Sequence, residues 1–308
     1  MIIRHYPSVW KLFFIRHGSI VPLIKWRLFA IFCLALGVTF IQYIHPSIFS
    51  AINLSYFTMI GLALSLFLGF RNNTAYERWW EGRNLWGQLI KETRSIARTT
   101  RSVMDNHVDA DMIARIDRYL ICYPICLRHQ CQGTKMDSEV IDRLLADEHA
   151  QILGKVNPAN ALLLMLSREI GQHYQQGKIS DIIYQTLDSR IDAINLIQAG
   201  CERLNKTPVP FAYNLLLQRT AMLYCLLLPF GLVSHTVWAT APLTLLITYT
   251  FFGLDALARD LEDPFSTCPN SLPLQALCIN IERIIMDMQG KSKQAMPPLP
   301  KIKNYILK

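Results

Sequence analysis

The sequence predicts an all-α membrane protein with four transmembrane helices and a helical cytosolic domain. Of its 308 residues, 51% are hydrophobic and only 18% are charged, which is too apolar for an ordinary soluble domain and too polar for membrane spans alone. Lysine and arginine cluster beside the long apolar runs, as they do in proteins oriented across a membrane. No segment sustains the alternation of β-branched residues that strands require.

Residues 1–27 are predicted to form a cytosolic segment against the membrane surface, with Trp10 and Trp26 as interfacial anchors. The apolar run Leu28–Ile44 follows as the first span. Because this run starts late and lacks a small-residue cleavage site, we expect no secretory signal peptide. The basic residues of the segment are Arg4, Lys11, Arg16, Lys25 and Arg27.

Residues 28–70 are predicted to hold transmembrane helices 1 and 2, arranged as a hairpin. Residues 45–56 between the two apolar runs contain no lysine or arginine, whereas residues 71–101 contain seven. By the positive-inside rule, the connecting loop lies outside and both flanks of the hairpin lie in the cytosol. This asymmetry is the main topological signal in the sequence.

The second span carries an apolar stripe, formed by Leu62, Leu66 and Phe70, that has two interpretations. The three residues are spaced four apart, so they share one face of a helix. In the first interpretation, the stripe faces lipid or packs in a core. In the second, symmetric copies of the helix surround an axis, and their rings of leucine and phenylalanine form a dry constriction of the kind that gates ions by dewetting. Periodicity does not choose between them.

Residues 71–212 are predicted to form the helical cytosolic domain, because no stretch there reaches spanning length without charge. Residues 213–255 are predicted to hold transmembrane helices 3 and 4. Beyond them, residues 256–290 form a predicted cytosolic helical segment, and residues 291–308 form an extended basic tail. The sequence therefore predicts a membrane part and a cytosolic part that alternate along the chain.

The sequence does not favour catalysis or a metal centre. Cys122, Cys126 and His129 would share a helix face and Cys131 follows them, but their spacing is not one of the usual zinc patterns. We interpret them as small residues of a helical core. The chain has no phosphate-binding glycine loop and no Ser-His-Asp arrangement that can be defended. We therefore expect no enzyme activity, no bound metal and no cofactor.

Several short motifs occur together in a characteristic order along the chain. They comprise Gly18-Ser19 before the first span, residues 67–72 at the foot of the second, and residues 76–86, 208–213, 228–230 and 261–265. In combination these motifs resemble the bestrophin family, specifically its bacterial homologues. Each motif is weak alone, but together they are specific and extend from the amino terminus to about residue 290.

The resemblance implies a homopentameric ion channel in the cell (inner) membrane with both termini in the cytosol. Carried over by position, the apolar stripe would line a narrow pore neck, and Ile182 would line a second aperture at the cytosolic exit. Asn72 and Asp181 would be polar neighbours of the pore. The implied partners are further copies of the chain, monovalent ions and membrane lipid. Nucleic acid is not expected, because membrane orientation accounts for the net charge of +8.

Two departures from animal bestrophins concern gating and selectivity. The calcium-binding acidic run of those proteins is replaced by residues 266–270, which carry no carboxylate, so we do not expect calcium gating. Animal bestrophins also carry aromatic rings lower in the neck, and the positive edges of such rings favour anions. This chain has Leu66 in the middle position of the neck. We therefore predict a channel that leans toward monovalent cations such as sodium. The alternatives are a chloride or anion channel and, further away, a non-conducting membrane scaffold or sensor.

Overall fold

The computed structural model describes residues 1–308 apart from 3–7, 9, 11–14, 16–17, 47, 50–52, 105–109, 137–139, 141, 303–304, 306 and 308. Arg4, Lys11 and Arg16 of the predicted interfacial segment therefore lie outside the described residues. Within the described part, the chain is helical and contains no β-strand, which confirms the predicted helical class. The helices in chain order are α1 (Val21–Ile44), α2 (Leu54–Val103), α3 (Ala110–Gln132), α4 (Ala146–Ile152), α5 (Pro158–Gln175), α6 (Asp181–Lys206), α7 (Phe211–Leu232), α8 (Thr240–Glu262) and α9 (Leu274–Met288).

Four of the described helices, α1, α2, α7 and α8, are long and apolar enough to cross a membrane, as the sequence predicts. Helix α1 begins at Val21, before the predicted start of the span, because Pro22 suits a first turn in which a backbone N–H would be unpaired anyway. Helix α8 continues past residue 255 to Glu262. Arg259 and Asp255 stabilise this extension as an ion pair one helical turn apart.

One compact unit, here called the membrane unit, comprises Arg4–Trp79 and Pro208–Asp263. Within it, α1 packs against α7 and α8, and α7 packs against α8. Its core is aliphatic and aromatic, and its buried members include Leu68, Cys225 and Phe252. The opposite faces of these helices do not contribute to this core.

Two glycines bring α2 and α7 into close contact in the membrane unit. A Cβ atom added at Gly61 would overlap the hydroxyl group of Tyr224, and one added at Gly231 would overlap the ring of Phe57. Small residues allow membrane helices to approach closely enough for extensive van der Waals contact. The position of α2 is therefore set by aromatic side chains that pack onto bare backbone.

The other compact unit, here called the helical unit, comprises Met1–Ile3, Trp80–Thr207 and Pro264–Lys308. Helix α3 lies at its centre, packs against α5, α6 and α9, and buries every residue from 122 to 129. The two ends of the chain meet in this unit, where the Met1 ammonium group donates a hydrogen bond of 2.7 Å to the carbonyl oxygen of Leu307.

Candidate pore-lining site

The apolar stripe of α2 is exposed in the single chain. Leu62, Leu66 and Phe70 are 73%, 57% and 57% exposed, whereas Leu64 and Leu68 of the same helix are 5% and 0% exposed. The helix therefore turns its other face to the core of the membrane unit. Core packing within one chain is excluded for the stripe, which leaves lipid or other copies of the chain to cover it.

The stripe lies in a shallow, open groove of about 640 Å³ that is lined by residues of α2 alone. No charged side chain lines this groove, and the hydroxyl group of Ser65 is satisfied by donating to the Leu62 carbonyl oxygen at 2.7 Å. Such a surface provides few polar groups that could replace the water molecules around an ion, which is the property of a hydrophobic constriction. The groove is lined by Met59, Leu62, Ala63, Ser65, Leu66, Gly69 and Phe70.

A buried ion pair lies directly below the stripe. Arg71 follows Phe70 in α2 and is 2% exposed, and its guanidinium group contacts the carboxylate of Asp255 in α8. Arg259 donates a second charged hydrogen bond to Asp255 at 2.9 Å. The pairing of Arg71 with Asp255 was not predicted from the sequence. The signal that could have found it is that each partner is the first charge after a long apolar run.

Asn72 is half-buried beside the ion pair and is not free to reorient without breaking a bond. Its side-chain amide donates to the carbonyl oxygen of Leu68 at 2.9 Å. One turn further on, Thr74 donates from its hydroxyl group to the Phe70 carbonyl oxygen at 3.1 Å. These bonds are local to α2, and they stiffen the foot of the stripe without adding a charge to it.

Glu262, at the end of α8, links the start of α7 to the middle of α2 in the membrane unit. Its carboxylate accepts a hydrogen bond of 3.1 Å from the side-chain amide of Asn214 at the start of α7. Its backbone carbonyl accepts a bond of 3.0 Å from Nε of Arg78 in α2. Glu262, at the acidic end of α8, thus connects α8 to α7 and α2 by hydrogen bonds.

The second predicted constriction belongs to the helical unit. Ile182 lies in the first turn of α6 and is 74% exposed, so no part of the described chain covers it. Asp181 begins α6 and is hydrogen-bonded to Tyr174, and this bond raises the pKa of the Tyr174 hydroxyl group. The Tyr174 and Tyr184 rings stack with centroids 4.6 Å apart. An exposed aliphatic side chain therefore lies next to a carboxylate held by an aromatic pair.

The cysteine and histidine group of α3 is buried and internally bonded. Nε2 of His129 lies 2.9 Å from Nη2 of Arg128, and Nδ1 lies 2.8 Å from the Thr134 hydroxyl oxygen, so both ring nitrogens are occupied. Burial raises the pKa of the Cys126 thiol to about 12. Thiolates and unpaired imidazole nitrogens are the forms that bind zinc. The arrangement therefore fits the interpretation of these residues as core.

Comparison with known proteins identifies the family. The family described as Bacterial/Fungal Bestrophin protein matches residues 1–287. The chain belongs to the bestrophin family. This bestrophin is 40% identical over 304 residues to a Mesorhizobium japonicum protein named as a voltage-dependent anion channel-forming protein, with coverage of 98% of this chain and 96% of the relative. YneE of Escherichia coli K12, named in the same way, is 36% identical over 302 residues, with coverage of 97% and 98%.

The solved structure of a bacterial bestrophin homologue from Klebsiella pneumoniae is also similar to this bestrophin. The two share 38% sequence identity and superpose with a TM-score of 0.83, over 87% of this chain and 99% of the other. The resemblance inferred from the motifs is therefore confirmed. This bestrophin is a membrane protein with the helical fold of its relatives.

Proposed function

We propose that this bestrophin is a homopentameric channel that conducts small anions through a neck lined by Leu62, Leu66 and Phe70. The observation that carries the proposal is the exposure of this stripe on the face of α2 opposite the buried Leu64 and Leu68. Curated relatives that match nearly the whole chain are named as anion channel-forming proteins. Transport is passive, and no residue is assigned a catalytic role.

Anions are proposed in place of the cation preference suggested by Leu66. The names of the relatives support the anion alternative, and they do not support a lean toward sodium. The groove also lacks the carboxylates with which cation channels build selecting rings. Phe70 at its foot supplies a ring whose edge carries partial positive charge, and that edge suits a passing anion. Selection within the neck then depends on the cost of dehydration and not on a fixed charge.

Ile182 is proposed to line a second, cytosolic constriction, with Asp181 and Asn72 as polar neighbours of the ion path. Ile182 is exposed and uncovered in the single chain, as expected of a side chain that faces an axis. We place the channel in the inner membrane with both termini in the cytosol. Residues 1–27, 71–212 and 256–308 then lie on the cytosolic side of spans in residues 28–70 and 213–255.

Ion flux through liposomes containing the purified protein tests this function. Under a potassium chloride gradient, the reversal potential is expected to lie toward the chloride equilibrium potential. Changing Leu62, Leu66 and Phe70 together to Ala is expected to raise the flux, because a wider and less apolar neck wets more easily. A reversal potential toward that of potassium would restore the cation alternative, and absence of flux would favour a scaffold or sensor.

A matched control comes from exposed leucines on another membrane helix. Leu216, Leu223 and Leu227 of α7 are all more than half exposed and do not belong to the apolar stripe. Their joint replacement by Ala removes a comparable apolar area and is expected to leave the flux unchanged. Equal flux changes in the two triple variants would contradict the assignment of the neck.

A further inference from the structure

A small cavity opens between α1, α7 and α8 of the membrane unit. Its volume is about 150 Å³, which corresponds to about five water molecules at liquid density. Arg27 from α1 and Gln218 and Arg219 from α7 supply its polar side. Leu215 and Phe252 contribute to an apolar side. The cavity is too small for a whole lipid but has room for one polar group with a few waters.

The cavity carries excess positive charge. Within the described part of the chain, neither Arg27 nor Arg219 has a carboxylate at ion-pair distance. The one carboxylate that lines the cavity, Asp255, is already held by Arg71 and by Arg259. The positive charges of Arg27 and Arg219 therefore remain available to a ligand.

Arg27, an exposed residue, lies against an aromatic ring and has no ion pair in the described part of the chain. Its guanidinium carbon lies 5.9 Å from the centroid of the Phe252 ring, the geometry of a cation–π contact. Such a contact orients a guanidinium group while leaving its N–H donors free for other partners. The arginine is thus held at the cavity with its hydrogen-bonding capacity unused.

Neighbouring residues place the cavity at the depth of the lipid headgroups. Trp26 precedes Arg27, is 74% exposed, and has the Lys25 ammonium 5.4 Å from its ring centroid. Exposed tryptophan beside lysine is typical of the interfacial belt of a membrane protein. On α8, Asp255 begins the charged end of a helix whose preceding residues are all uncharged. The cavity therefore lies where spans change from apolar to charged.

We propose that this cavity binds the phosphate group of an anionic phospholipid. Two guanidinium groups suit phosphate oxygens, because each offers paired N–H donors in a planar fork. Basic pockets between transmembrane helices bind anionic headgroups in the same way. Leu215, Met222 and Phe252 supply apolar lining beside the polar groups, so the rest of the same lipid would lie outside the cavity. This site does not depend on ion conduction.

Thermal unfolding of the full chain in detergent micelles tests the proposal without measuring flux. Short-chain phosphatidylglycerol, short-chain phosphatidylcholine and inorganic phosphate are titrated separately, and the midpoint temperature is followed. Phosphatidylglycerol is expected to raise the midpoint at lower concentrations than the other two. Equal responses to the two lipids would overturn the proposal. A response to inorganic phosphate equal to that for phosphatidylglycerol would assign the cavity to a free anion and overturn the lipid assignment.

Variants connect the response to the cavity. The double variant Arg27→Gln/Arg219→Gln is expected to weaken the apparent affinity for phosphatidylglycerol about thirty-fold, and each single variant about fivefold. The single variants serve if the double variant does not fold. Lys25→Gln/Lys206→Gln removes the same charge from exposed positions outside the cavity and is expected to change the affinity much less. Equal losses of affinity in the two double variants would show that the response depends only on the net charge of the protein, and would overturn the proposed site.

Discussion

Arg71 and Asp255 show how a single contact constrains the helix that carries the apolar stripe. Both residues are at most 3% exposed, and they join α2 directly below Phe70 to α8. Removing one partner of such a pair leaves a buried charge that is poorly compensated, whereas removing both avoids that penalty. The contact therefore penalises any displacement of the foot of the stripe away from α8.

Replacing Asp255 by Asn is expected to destabilise the protein by about 3 kcal/mol, because the Arg71 charge stays buried with only the Glu262 carboxylate, 3.9 Å from Nη2, left near it. The double variant Arg71→Met/Asp255→Leu is expected to recover most of that loss. Unfolding in detergent, followed by tryptophan fluorescence, measures both changes. The control is the exposed pair of Arg203 and Glu81, with side chains 67% and 40% exposed, for which Glu81→Gln is expected to cost about 0–1 kcal/mol. Similar costs for Asp255→Asn and Glu81→Gln would contradict the prediction.

Helix α4 depends on one buried carboxylate. Glu148 is 2% exposed and accepts hydrogen bonds from Arg118 at 2.8 Å, from the Tyr119 hydroxyl group at 3.1 Å and from the Leu145 backbone N–H at 2.9 Å. Burial opposes ionisation, but these bonds outweigh it and lower the pKa of Glu148. The last bond is half of a capping box, so the same carboxylate caps α4 and attaches it to α3.

The lowered pKa predicts acid sensitivity in the helical unit. Since the pKa of Glu148 is lower in the folded state, its ionisation stabilises the fold above the ordinary glutamate value of about 4.3, and this contribution is lost as the pH falls through the folded pKa. The melting temperature of the unmodified protein is expected to fall more steeply below pH ~5 than that of Glu148→Gln. Asp147→Asn, on the exposed side of α4, is the control and should follow the unmodified protein.

At the scale of the helices, the apolar runs of the sequence predict where the spans lie, but they do not predict which residues contact one another. The four spans follow from hydropathy, but the start of α1 at Val21 depends on how Pro22 fits a first turn. The stripe of Leu62, Leu66 and Phe70 is visible in the sequence, yet its exposure becomes evident only when Leu64 and Leu68 are seen in the core. The pair of Arg71 and Asp255 joins residues 184 positions apart, a distance over which local patterns carry no information.

At the scale of the whole molecule, exposed apolar side chains outside the spans point to self-association. Ile182 and Leu196 of α6 are 74% and 72% exposed, and α6 is not among the helices able to cross a membrane. Lipid can cover the stripe of α2, but it does not reach a helix outside the bilayer. Ile182 and Leu196 lie about four turns apart on α6, so each is a candidate for a separate contact between copies of the chain. A pentamer would cover both surfaces.

Native mass spectrometry of the protein in mild detergent is expected to show a pentamer. Changing Leu196 to Asp is expected to shift the distribution toward smaller assemblies, because it places a charge in an apolar contact between copies. Val156→Asp alters a residue that is also fully exposed, at a turn between helices, and serves as the control. A monomer or a dimer as the main species of the unmodified protein would contradict the proposed assembly.

The hydrogen bond between Met1 and Leu307 also restricts how the chain can thread a bilayer. Residues that touch lie in one compartment, so the chain between Met1 and Leu307 is expected to cross the bilayer an even number of times, and an epitope near either residue would report the location of both. A fusion partner attached at Met1 would turn the ammonium group into an amide and crowd the tail at Leu307. Carboxyl-terminal tags placed after a spacer would disturb this junction least.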